Sequence, residues 1–304
     1  VQKDQTVART HQDNPVGGNI KGIAAMVAAT ALFTLGDASM KLVSGSLPTG
    51  ETVFVRSLCT VMLTTVAALA TGGILSLKRA LIPAMGWRSV GDVGASLFFQ
   101  SALARMPFAD IIGVLQMTPL SLTAASAVFL GEQVGWRRWT AVLIGLGGAL
   151  LIIKPGSSTF NSWAILAVLA VLSSTLRDVK TRRLDPMLSP LVILMLSQMA
   201  VALAGLGCST FERWAAPNLR EFIYLLLASI LSLVGQLCVI HSLRSGEISA
   251  IAPFRYTGMV WAILLGLFLW GDLPDALSFV GILVLMSAGL YTFSREQKLR
   301  KLDQ

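Results

Sequence analysis

An aspartate and a lysine sit four residues apart in Thr34-Leu-Gly-Asp-Ala-Ser-Met-Lys41, at the end of an otherwise apolar run from Gly22. Four residues is one helical turn, so Asp37 and Lys41 share a face and can pair. A second stretch, Thr175-Leu-Arg-Asp-Val-Lys-Thr-Arg182, repeats the Thr-Leu-x-Asp core and offers Asp178 with Arg182. Arg56 and Arg255 are further cations inside apolar segments. Such groups can do two things: clamp helices together as ion pairs, or face a path and hold or gate a charged solute. Both readings stay open for Asp37, Lys41, Arg56, Asp178 and Arg182. Arg255 is the expected partner of Asp178, as Arg56 is of Asp37.

The polar and aromatic residues expected near mid-span are of the kind that hold a small solute. The candidate substrate-binding set is Thr34, Phe99, Gln100, Gln116, Gln198, Ser232, Gln236, Arg255, Tyr256 and Trp261. Amides and hydroxyls in this position also bond across packed helices, so only some of the set would line a cavity. No carboxylate is expected at the true midplane, which favours neutral or zwitterionic solutes. Pro119 and Pro253 free a backbone carbonyl and are candidate hinges. Glu132 and Asp272 precede helices and suit their positive N-terminal ends. His241 is read as an interfacial hydrogen-bonding residue.

The elements that must position these residues are membrane helices. The 304 residues are 54% hydrophobic and only 13% charged, about half the charge of a soluble domain. Runs near 20 residues recur, the length that spans about 30 Å of hydrocarbon. Ten helices are expected, at about 20–43, 50–71, 87–106, 108–130 and 136–153, then 161–183, 188–209, 221–243, 247–270 and 276–294. With the N-terminus inside, 16 Lys and Arg fall in cytoplasmic segments and 4 outside. That bias sets both termini in the cytoplasm and accounts for the net charge of +8 without nucleic acid. Residues 1–18 and 297–304 are read as cytoplasmic tails. Cys59, Cys208 and Cys238 have no metal-ligand spacing, and no phosphate-binding loop of the G-x-x-x-x-G-K-[ST] type is present. No metal, cofactor or catalytic residue is therefore expected.

A shift of 140 residues places Ser101–Ala109 on His241–Ser249, Gly131-Glu132 on Gly271-Asp272 and Trp139 on Phe279. The halves, 19–156 and 157–296, thus read as repeats of five helices. Five is odd, so the second copy enters the membrane inverted. Solute sites of inverted-repeat carriers lie near the midplane between the halves, and rocking about the site gives alternating access. The expected fold class is an all-α membrane protein of ten helices in two inverted five-helix repeats. Gly145 with Ala149, and Leu285 with Gly289, give the fifth and tenth helices flat faces for tight internal packing or for a homodimer.

Arg56, Thr118-Pro119, Leu130-Gly-Glu132 and Gly145-Leu-Gly-Gly-Ala149 resemble the EamA branch of the drug/metabolite transporter superfamily over about residues 20–296. Gly271-Asp272 and Gly258-Met259 depart from that pattern in the second half. The resemblance implies a secondary carrier in a bacterial inner membrane. It points to export of neutral or aromatic amino acids, with uptake of a cofactor-like solute such as riboflavin or S-adenosylmethionine as the alternative. A membrane-embedded enzyme would gather His, Asp or Glu at one interface, and here His11 and His241 are far apart and the acids dispersed. The expected partners are a small solute and the lipid bilayer.

Overall fold

The computed structural model describes residues 15–129, 135–157, 160–185, 187–245 and 251–302. Glu132, residues 1–14 and the 246–250 part of the repeat alignment lie outside them. The chain forms α1 (Pro15–Val43), α2 (Thr49–Ala70), a 3-10 turn (Gly73–Ser76), α3 (Leu77–Ala80), α4 (Pro83–Leu103), α5 (Phe108–Leu115), α6 (Thr118–Phe129) and α7 (Trp136–Ile153). There follow α8 (Ala164–Thr181), α9 (Pro190–Ser209), α10 (Leu219–Ser245), a second 3-10 turn (Ala252–Tyr256), α11 (Thr257–Trp270) and α12 (Ala276–Leu302). Among the described residues there is no strand.

Seven helical stretches of the described residues are long and apolar enough to cross a membrane: Asn19–Val43, Thr49–Ala70, Phe108–Phe129, Trp136–Ile153, Pro190–Ser209, Leu219–Ser242 and Pro253–Trp270. The chain is therefore a multi-pass membrane protein. The helices α4 and α8 fall outside this set despite lengths of 21 and 18 residues. They carry Arg88, Asp92, Arg177, Asp178 and Lys180, and those charges lower their mean hydropathy. The fourth expected helix is broken between α5 and α6 at Gln116-Met117, just before Pro119. The ninth opens with the 3-10 turn that holds Pro253. Pro119 sits in the first turn of the restarted helix, where its missing donor costs nothing, and α11 starts four residues beyond Pro253. The helix expected to end at 294 continues to Leu302.

Bonds between helix ends define two faces. On one, Ser242 donates to the Gly22 carbonyl, the Ser189 amide to Ser76 Oγ, and Arg183 to the Phe129 carbonyl. The start of α1 is on this near side. On the far side Lys41 donates to the Met106 carbonyl, the Gly50 amide to Glu212, Asn161 to the Arg105 carbonyl, and Lys154 pairs with Asp275. The tightest helix pairs are α1 with α10, α4 with α8, α2 with α9 and α7 with α12.

Glycine decides how α7 meets α12. A Cβ on Gly148 would lie 2.8 Å from the Gly281 carbonyl oxygen, and one on Gly281 would lie 2.5 Å from that of Gly148. The two backbones therefore touch. Gly145 rests on Leu120 and Ala288, and Gly289 on the Tyr256 ring. Of the two uses left open for these small-residue faces, internal packing and a homodimer, the contacts seen are within the chain. The outward side of α7 instead presents Leu143, Ile144, Leu146 and Leu150, an apolar stripe suited to lipid tails. Gly148→Leu forces the pair apart and should cost about 1–3 kcal/mol or more. Gly147→Ala, with nothing within 4 Å of its added carbon, should melt like the parent in detergent.

Candidate functional site

Four charges meet inside the bundle where α4, α8 and α9 converge. Asp92, midway along α4, is 5% exposed and accepts from two arginines. Arg88, one turn earlier, bonds Asp92 Oδ2 at 3.0 Å, and Arg177 of α8 bonds Asp92 Oδ1 at 3.2 Å. Arg177 also bonds its neighbour Asp178 at 2.8 Å. Arg88 continues to Ser197 of α9 and to Thr181 of α8, 3.0 Å away. A close approach makes this possible: Gly91 faces the α8 backbone, where a Cβ would lie 2.6 Å from the Arg177 amide. The network lies at the last turn of α8, where Arg177, Asp178 and Thr181 meet α4. The sequence signal was an Arg-x-x-x-Asp pair inside an apolar window, with Arg88 counted instead among the cytoplasmic loop charges.

Arg56 marks a second group, on the face of α2 opposite its exposed Leu58, Met62 and Val66. It donates to Ser232 of α10 at 3.1 Å, and Ser229 donates to its backbone carbonyl at 3.0 Å. Asp37 occupies the side of α1 opposite the exposed Ala28, Leu35 and Leu42. The Asp37 and Arg56 charges act on one another across the interior, and Asp92 adds to the field at Arg56. Both residues remain half-buried, not sealed. Among the described residues no ion pair joins the two directly, so neither charge is fully neutralised by the other.

Among the described residues no ion pair joins Asp37 to Lys41. Lys41 turns to the Met106 carbonyl and lies over the Trp270 ring, 5.2 Å from its centroid. Asp178 takes its ion pair from Arg177, while Arg182 reaches Ser126 of α6 at 3.2 Å. Arg255 is exposed in the second 3-10 turn and makes no ion pair among the described residues. In a bilayer a charge takes whichever partner best replaces water, whether a carbonyl in a turn, as for Lys41, or the adjacent residue, as for Asp178.

The uncharged candidates divide. Thr34 is buried and joins α1 to α11 by donating towards the Gly258 carbonyl at 3.4 Å. Gln100 is 3% exposed, and its amide nitrogen lacks a partner among the described residues. The Trp261 indole nitrogen is likewise buried without one. Phe99, Gln116 and Gln198 are half-buried, and Tyr256 is buried against Gly289. Gln236 is exposed although it continues the stripe of Leu225, Ser229 and Ser232, well round the helix from the exposed Ile230, Val234 and Leu237. Pro119 is exposed at the start of α6. Among the described residues no three His, Cys, Asp or Glu side chains gather as a metal site.

At the far side a cavity of ≈ 280 Å³ is lined by Met106, Pro107, Asp110, Lys154, Asn161 and Asp275, among others. The Lys154 ammonium and the Ser278 amide hold the Asp275 carboxyl below its ordinary value.

The EamA-like transporter family matches this chain twice, over residues 20–154 and 161–294. The chain belongs to that family. It is 27% identical over 278 residues to a pseudopaline exporter of Pseudomonas aeruginosa, covering 91% of this chain and 97% of the relative. An S-adenosylmethionine uptake transporter of Rickettsia bellii is 26% identical over 59% of this chain and 62% of its own length. A riboflavin transporter of Rhizobium johnstonii is 25% identical over 65% of this chain and 66% of its own. A solved protein structure shares the fold with a TM-score of 0.63, at 20% identity, covering 92% of this chain and 98% of that one.

Two measurements follow from the charges. Asp92→Ala leaves two buried guanidinium groups facing each other and should cost about 3–5 kcal/mol, read as a lower melting temperature. The Lys154–Asp275 link should persist above the ordinary aspartate range, near pH 4, and fail as pH drops through the lower value of the folded state. Asp275→Asn should remove that acid-side loss from the melting curve.

Proposed function

We propose that the protein is a secondary transporter of a bacterial inner membrane that exports small zwitterionic metabolites, foremost neutral or aromatic amino acids, by alternating access. The observation that carries this is the opposed pair Asp37 on α1 and Arg56 on α2, whose charges act on one another without a direct ion pair among the described residues. An amino acid carries one ammonium and one carboxylate, so its charges match that pair in sign and number. Arg56 is the carboxylate site and Asp37 the ammonium site. Ser232 orients the guanidinium, and the aromatic ring of Phe99 or Trp261 offers a surface for the side chain.

Ten spans in two inverted repeats, 19–156 and 157–296, are part of the same reading. Its supports are the double family match and the pairing of helices. Exchanging the halves turns α1 with α10 into α8 with α4, and returns α2 with α9 and α7 with α12 to themselves. The charge bias puts both termini in the cytoplasm. Export accords with the exporter matched over 97% of its length.

Uptake of a cofactor-like solute is the second reading, favoured by the matches to S-adenosylmethionine and riboflavin transporters. Purified protein in liposomes should give flux of labelled phenylalanine or leucine above empty vesicles. Arg56→Ala should cut it at least about tenfold and Asp37→Asn should raise the apparent KM. Absence of flux for every amino acid tried, with competition only by S-adenosylmethionine or riboflavin, would sink the export reading in favour of the second.

A further inference from the structure

The interior is packed unequally from one side to the other. The main apolar core gathers the far-side parts of the helices: Met40 and Val43 of α1, Leu103 of α4, Phe108 of α5, Leu225 of α10 and Leu285 of α12, each at most 1% exposed. The near side holds only a smaller cluster around Ala68, Ala80, Met85 and Val192, between α2, α3, α4 and α9. At the depth of Gln236, beyond the main core, a polar side chain on the inward stripe of α10 is exposed. Among the described residues the far side is therefore the more densely packed of the two.

At the far side, one charged side chain spans the seam. Lys41, near the end of α1, donates to the carbonyl of Met106 in the turn between α4 and α5. The same ammonium lies over the ring of Trp270, the last residue of α11. That ring in turn packs on Phe108 of α5, centroids 5.4 Å apart. Asp110 and Asp272 are the acids that act on the Lys41 charge.

We infer that Lys41 is the far-side gate residue of the transport cycle, holding α1, the 104–107 turn and α11 together until the cavity must open outward. Parting these three elements breaks both the carbonyl bond and the ring contact at once. The cavity lined by Met106, Pro107 and Asp110 lies beside the seam and gives the released ammonium a wet, acidic wall. A lysine suits this task because a cation over an aromatic ring gains as water is excluded. Asp37, the partner expected from sequence spacing, is left to the interior.

The inference rests on alternating access, and its test needs no solute. Cys59, Cys208 and Cys238 are replaced by alanine and Gln236→Cys is introduced. An impermeant maleimide is then applied to vesicles of each orientation. The cysteine should react from the near side and be protected from the far side. Lys41→Met should raise the far-side rate at least about tenfold, and Lys41→Arg should keep the protection. Should Lys41→Met not be recovered folded, Lys41→Gln is read in its place, since it keeps a donor and loses the charge. Far-side labelling at the parent rate in a folded charge-removing variant overturns the inference. So does a Lys41→Arg protein that labels as fast as Lys41→Met. Loss of amino-acid flux with this labelling pattern intact would count against the solute assignment alone.

Discussion

Water is missing from the inside of a bilayer, and every charge carried there must find another partner or a wet space. Arg88, Asp92, Arg177 and Asp178 answer in the first way, by bonding one another across α4 and α8. Asp37 and Arg56 act on one another's charge from α1 and α2 without a direct ion pair among the described residues. Helix positions follow from this division. The helices that bring the bonded charges together, α4 and α8, are pressed close enough to need Gly91 and Gly94 between them. The helices that carry the second pair, α1 and α2, are joined through α10 instead.

A bonded network and a pair without a direct ion pair between its members do different work. Asp92 is saturated by two guanidinium groups, so a passing solute gains little by displacing either one. Arg56 has Ser232 as its side-chain partner, a neutral hydroxyl that a carboxylate can outbid. Chemistry of binding thus belongs to the less satisfied charges, and rigidity to the more satisfied ones.

Much of this was legible in the residues. Apolar length located the helices, and prolines 119 and 253 located both interruptions. Asp37 and Arg56 were visible as charges where none is comfortable. The partners were not visible. A four-residue spacing singles out Asp37 with Lys41 and Asp178 with Arg182 because it sees one helix at a time. The actual choices were made between helices: Lys41 with the Met106 carbonyl, Arg177 with Asp92. Arg88 and Asp92 went unnoticed for a related reason. They lie within the first ten residues of α4, where a count of loop charges claims the arginine and leaves the acid unexplained.

The contact of α7 with α12 bears on how the protein is made. Gly148 and Gly281 touch backbone to backbone, and no longer side chain can stand in for either surface. Yet Gly148 enters the membrane well before Gly281 has been synthesised. During that interval α7 has a groove shaped for a helix that does not exist, exposed to lipid tails that fill it poorly. The first half is thus an unfinished body until translation has passed Gly281, and the last contact to close is one that holds both halves at their shared edge.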